Sequence, residues 1–234
     1  MGDGDDYWTD PLKLQKQVDF MEKNKGCSLC FHPTKIIYNN RSVNKIVHRY
    51  NNLEDTVFKG RDMIAGKING WTASLLLHSD IVQNLPQWFT SVRYGDAALK
   101  LFCAANGDIG YIGGNAMSVY RRGYADAWSG NEGTSRVWEE KRLEHHIKLI
   151  QHFNDYTDHK FEKSLTLKKS KHVLNYLLAV QNYCSKLEAA KIIGKNVDML
   201  FLKPKKFFWV CLRFAFGQKV YEFLRRLRRT LRKQ

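Results

Sequence analysis

The sequence predicts an α/β sheet domain followed by an almost wholly helical region, and two features of its 234 residues carry that prediction. From the N-terminus to about residue 125, helix-type periodicity alternates with short apolar or β-branched runs, the pattern of a sheet covered by helices. Beyond S-G-N-E-G-T-S (129–135), apolar residues recur every three or four positions with little interruption. An apolar content of 44% and an aromatic content of 13% can fill a core, which excludes a disordered chain.

Taken in order, D-P-L-K-L-Q-K-Q-V-D-F-M opens the first helix, with Thr9 or Asp10 as cap, Pro11 at its first position, and Leu14, Val18 and Met21 as its apolar stripe. Lys25-Gly26 stops it, and C-S-L-C-F-H-P-T-K-I-I-Y reads as strand broken at Pro33. Residues 39–56 form a surface loop or a loosely paired hairpin. F-K-G-R-D-M-I-A-G-K is a short helix, G-W-T-A-S-L-L-L-H a buried strand, and D-I-V-Q-N-L-P-Q-W-F a helix and turn. Y-G-D-A-A-L-K-L-F-C-A-A-N-G is a helix stopped by Asn106-Gly107, and D-I-G-Y-I-G-G-N-A-M-S-V-Y-R-R gives two strands around Gly113-Gly114. The expected organisation is a sheet domain over 1–130, a helical extension over 131–202, and a basic amphipathic helix over 203–234.

The formal net charge is +15, and the segment from Lys203 to Gln234 supplies most of it, with eleven Lys or Arg against Glu222 alone. Such asymmetry suits a polyanionic partner. Five unevenly spaced cysteines do not make a secreted disulfide framework. The longest apolar run, F-F-W-V-C-L-R-F-A-F, is half the length of a bilayer span and contains Arg213. The expectation is a cytoplasmic protein with no transmembrane helix.

Asp3-Gly4-Asp5-Asp6 places carboxylates at D-x-D spacing, a donor set for a hard divalent cation or, read alone, a solvated acidic terminus. Its continuation, Y-W-T-D-P-L-K-L-Q-K-Q-V-D-F, makes the segment resemble the metal loop of family-2 glycosyltransferases of the GT-A (Rossmann-like) fold. About ninety residues on, Y-G-D-A-A-L-K-L-F-C-A-A-N-G-D-I-G-Y-I-G-G-N-A-M-S-V-Y-R resembles the segment of that family with a catalytic G-D or E-D, an apolar helix, a glycine stop and a strand ending Y-R. The resemblance covers residues 3–130. It implies the C-terminal part of a GT-A domain, an inverting transfer of a sugar from a nucleotide-diphosphate donor to a hydroxyl, and Mg²⁺ or Mn²⁺ as cofactor.

By position in those motifs, the resemblance makes Asp96 the general base, Asp3 and Asp5 the metal ligands, and Asp6 with Arg121 the donor-diphosphate group. For Asp96 a helix cap is the bland alternative. G-W-T-A-S-L-L-L-H resembles the family's acceptor-side strand, so Trp71, Thr72 and Ser74 are expected to meet the acceptor, with plain core the alternative for Trp71. Gly123 stands where the family pattern carries a histidine. The family spends about a hundred residues on nucleotide-binding strands before its D-x-D; here two precede Asp3. That expectation makes the chain a truncated frame or split gene product, without turnover by itself. The rival reading is a non-catalytic remnant that binds glycan or membrane.

Cys27-Ser-Leu-Cys30 with His32 has zinc-like spacing but no fourth ligand, and in a strand the two thiols would face opposite sides, so core cysteines are expected. Glu144, His145, His146 and His152 crowd one helix, His145 and His152 sharing a face, with no hydrolase pattern around them. In the tail, Val210, Phe214, Gly217, Tyr221, Leu224 and Leu231 form one stripe, with Val220 and Leu227 beside it, and Arg225, Arg229 and Arg232 lie on another. That pattern suits an anionic membrane surface through residues 205–234, at the inner face of the cell membrane, or packing on the chain's own helices. Lipid-linked or cell-surface glycan acceptors fit the first option. No recognition motif points to nucleic acid.

Overall fold

The computed structural model describes residues 6–38, the backbone of 45–47, 54–124 and 135–215. The chain divides into two units, Met1–Gly133 with Gln151–Ser164, and Thr134–Ile150 with Leu165–Gln234. The first break lies close to the expected boundary at 130, while 151–164 belongs with the sheet unit and 203–215 with the other helices.

The first unit is mixed α/β. Its strands are β1 (Tyr7–Trp8), β2 (Cys27–Phe31), β3 (Thr34–Tyr38), β4 (Lys45–Val47), β5 (Thr56–Phe58), β6 (Leu76–Leu77), β7 (Asp108–Tyr111) and β8 (Ser118–Arg122). They make two four-stranded sheets, ordered β1-β8-β3-β4 and β5-β7-β2-β6. β2 runs parallel to β7 in one sheet, and β3 runs parallel to β8 in the other. Two strand pairs thus cross together from sheet to sheet. β2 and β3 are separated only by His32-Pro33, where the proline has no N–H to continue a ladder. Thr34 and Ser118 seal the crossing with hydroxyls 3.2 Å apart, both buried.

Helices α1 (Lys13–Lys23), α2 (Gly60–Ile64), α3 (Ser79–Gln83) and α4 (Gly95–Asn106) accompany the strands. α4 is buried along 98–104, and Leu29, Ile64, Leu75, Leu101 and Ile109 are wholly enclosed. Cys27 and Cys30 are free thiols in one apolar cluster with Phe20, Met21, Ile112 and Met117. A register shift between Cys27 and Leu29 interrupts the alternation that would have put them on opposite faces.

Three expectations change. α1 begins at Lys13, because Asp10 turns the chain by accepting the Leu12 amide at 2.8 Å and Pro11-Leu12 stay outside the helix. Its stripe also changes: Leu14 and Val18 are exposed, while Lys13 and Gln17 join Phe20 and Met21 in the interior. The buried face must satisfy a carbonyl, and Gln17 Nε2 does so by donating to Ser74 O at 2.9 Å. Finally, G-W-T-A-S-L-L-L-H is mostly a turn: Thr72–Ser74 is a 3₁₀ helix, and only Leu76–Leu77 pairs, antiparallel to β2.

The second unit is helical, with residues from α5 (Arg136–Tyr156) and α6 (Glu162–Val180), then α7 (Lys186–Lys195), α8 (Val197–Phe201) and helix again over 204–215. Val173, Leu174, Leu177, Leu200 and Val210 form its core. α7 starts with a full capping box, Ser185 and Glu188 each satisfying the other's backbone N–H.

Candidate active site

β1 lies along β8, Tyr7 opposite Val119 and Trp8 opposite Ser118. That pairing brings Asp6 to the far end of β8, where its Oδ1 accepts the Arg121 backbone N–H at 3.1 Å. The Arg121 guanidinium sits 4.5 Å from the Tyr124 ring centre. One residue back, the Tyr120 ring stacks on Trp71, with centroids 4.6 Å apart and planes inclined by 24°. Trp71 leads directly into the 3₁₀ turn that starts at Thr72.

Lys100 connects this turn to α4. Its Nζ donates to Gly70 O at 3.3 Å and to Asp96 Oδ2 at 2.8 Å. The lysine side chain is 9% exposed and that of Asp96 36%, so an enclosed ammonium holds a carboxylate that reaches solvent. Asp96 is not the cap of α4: Tyr94 occupies that position, its side chain making no capping bond to the helix, and Asp96 lies in the first turn, where the helix dipole favours an anion.

Among the expected site residues, Asp6, Arg121, Trp71 and Asp96 are therefore tied into one run of contacts, with Thr72 adjoining it. Ser74 is a correction: it is fully buried and its hydroxyl donates to Trp71 O at 2.7 Å, so it closes the turn instead of facing an acceptor. Asp3 and Asp5 lie outside the described residues. Among the described residues no three His, Cys, Asp or Glu gather to hold a metal. Carboxylates are the donors that Mg²⁺ or Mn²⁺ takes, and of the acidic run only Asp6 is described, bonded to the Arg121 backbone N–H. Gly123, in place of the histidine, has φ of 76°, a left-handed conformation that a histidine side chain disfavours.

Sequence reasoning missed Lys13, Gln17 and Lys100. Lys13 Nζ donates to Gln17 Oε1 at 2.6 Å and lies 4.2 Å from the Trp8 ring centre, and burial pushes its pKa down to about 8. Nearby, burial pushes His32 down to about 4, so the ring is neutral at pH 7, although its bond to Pro33 O opposes that shift. The available signal for Lys100 was a lone cation inside the otherwise apolar 97–105 run, one turn after Asp96. Of the three α5 histidines, His152 stacks on Trp88 and His146 on His172.

No family model matches the chain, and no solved structure matches it. One uncharacterized protein of Mycobacterium bovis and two of Mycobacterium tuberculosis are each 56% identical to it over 36 residues. That stretch is 15% of this chain and 10% of the length of each of those relatives.

Proposed function

We propose that this chain carries the acceptor and base side of an inverting family-2-like, GT-A glycosyltransferase, which moves a sugar from a nucleotide-diphosphate donor to a hydroxyl of a cell-surface glycan or lipid-linked saccharide. The observation that supports it most is the run Asp6–Arg121, Tyr120–Trp71, Gly70–Lys100–Asp96, which joins residues from two sequence segments about ninety residues apart. Asp96 takes the proton of the attacking hydroxyl, which is otherwise a poor nucleophile. Lys100 fixes the carboxylate through Oδ2 and couples its position to the Trp71 turn. Arg121 offsets charge on the departing diphosphate. A divalent cation on Asp3 and Asp5 would neutralise the same leaving group. In the family pattern the nucleobase is held by segments that precede the acidic loop. Transfer is therefore expected of the chain together with such a segment.

In that joined protein Lys100→Met should lower kcat about tenfold with little change in donor KM, because removing the ammonium frees both Asp96 and the Gly70 carbonyl. A kcat equal to that of the unmodified protein would remove Lys100 from the site.

The basic tail is proposed to hold the protein at an anionic lipid surface. No helix among the described residues is long and apolar enough to cross a membrane. Val210 is fully buried in the core of the second unit and Phe214 packs against it, so the first part of the tail stripe is covered from within. Residues 216–234, where most of the arginines stand, lie outside the described residues. Salt-sensitive binding to phosphatidylserine vesicles, lost on deleting 205–234, is the expected result; equal binding by the deletion contradicts it.

A further inference from the structure

The first unit holds a cleft of about 500 Å³ at the opposite end of α4 from Asp96. Asn106, on its rim, is ten residues along the helix, which places the cleft about 15 Å away at the helical rise per residue. The volume is that of a small-ligand site.

Its chemistry is specific. Tyr156 is 50% exposed, and its ring is propped edge-on against buried Phe102, with centroids 5.3 Å apart at 78°. Trp88 braces the same ring at 6.3 Å. Around it stand Asn84 and Asn106, whose amide NH₂ groups donate to Asp80 O and Phe102 O at 2.7 and 2.8 Å. Those bonds fix both side-chain carbonyls as oriented acceptors. The Asp80 carboxylate adds further acceptors, and Lys25 and His78 supply donors.

One lysine against one aspartate leaves no net charge to select a polyanion, and the polar rim does not suit an apolar ligand. A flat, half-exposed ring beside oriented amide acceptors, with Lys25 and His78 on the rim as donors, suits a neutral polyhydroxylated ligand. We propose that this cleft binds a saccharide unit of a glycan, at a site separate from the Asp96 centre. The cleft stands on its own geometry; the choice of saccharide among neutral polar ligands rests on the transfer reading.

The test is two-dimensional NMR of the full chain titrated with maltohexaose, cellohexaose, mannohexaose and chitohexaose to about 10 mM, a range that detects millimolar affinity. With at least one of these probes, shifts are expected at His78, Asn84, Asn106 and Tyr156. Tyr156→Ala should weaken that binding about tenfold, the loss of one aromatic contact. Asn84→Ala, at an exposed position, should weaken it without disturbing the core. Asp96→Asn should leave it unchanged. Shifts confined to Trp71 and Tyr120, or no shift with any of the four, overturn the proposal. Cleft binding by a joined protein that transfers no sugar sinks the transfer reading and keeps the cleft; transfer without cleft binding does the reverse.

Discussion

Asp96→Asn should lower sugar transfer by about 10²–10⁴-fold, the usual contribution of a positioned general base, when the chain is assayed behind a nucleotide-binding segment with Mn²⁺. The change suits the site because asparagine keeps an oxygen that can accept from Lys100, whose side chain is only 9% exposed. Truncation to alanine would leave that ammonium without any acceptor on residue 96, and any activity loss would be mixed with instability. Asn keeps an acceptor for that bond while removing the negative charge and, with it, the basicity. The thermal midpoint should therefore stay within a few degrees while kcat collapses. Full activity in Asp96→Asn would assign the proton to another group, and an equal fall in stability and activity would make Asp96 a structural residue.

Gly60→Ala should destabilise the first unit by about 3 kcal/mol or more, at or beyond the upper end of overpacking costs. A Cβ at Gly60 would fall 2.0 Å from Ala104 O and 2.6 Å from Gly107 O. Both acceptors are backbone at the C-terminal end of α4, so no side-chain rotation can relieve the contact. α2 must move off α4, the helix whose other end presents Asp96. Gly26→Ala is the control: nothing lies within 4 Å of its added methyl, and a change within about 0.5 kcal/mol is expected. Urea denaturation distinguishes them, and equal midpoints for Gly60→Ala and the unmodified chain would contradict the close packing of α2 on α4.

Periodicity made the elements legible where one physical rule governed a segment. α4 is buried over 98–104, and its Asn106-Gly107 stop falls where glycine and asparagine end helices. The break at Pro33 separates β2 from β3 as a missing N–H requires. Reading failed where a long-range partner reversed a local preference. Leu14 and Val18 look like the core face of α1, yet that helix turns Lys13 and Gln17 inward because Ser74 O needs a donor. Nothing local announces that need, since Ser74 is 57 residues from Gln17. The strand expected around Trp71 became a 3₁₀ turn for a related reason: Ser74 bonds back to Trp71 O, a side-chain alternative to ladder pairing. The motif residues Asp6, Trp71, Asp96 and Arg121 could be named from sequence. Their linkage through Tyr120, Gly70 and Lys100 could not, because each contact depends on sheet crossing and helix placement.

This chain is proposed to carry the acceptor-activating side of an inverting sugar transfer. The most direct measurement is NMR of the glycoside formed from an anomerically pure nucleotide sugar and Mn²⁺ by the chain joined to a nucleotide-binding segment. The expected product has inverted anomeric configuration and forms only when Asp96 is present. A product of retained configuration, or no glycoside from a folded protein that binds both donor and acceptor, would contradict it.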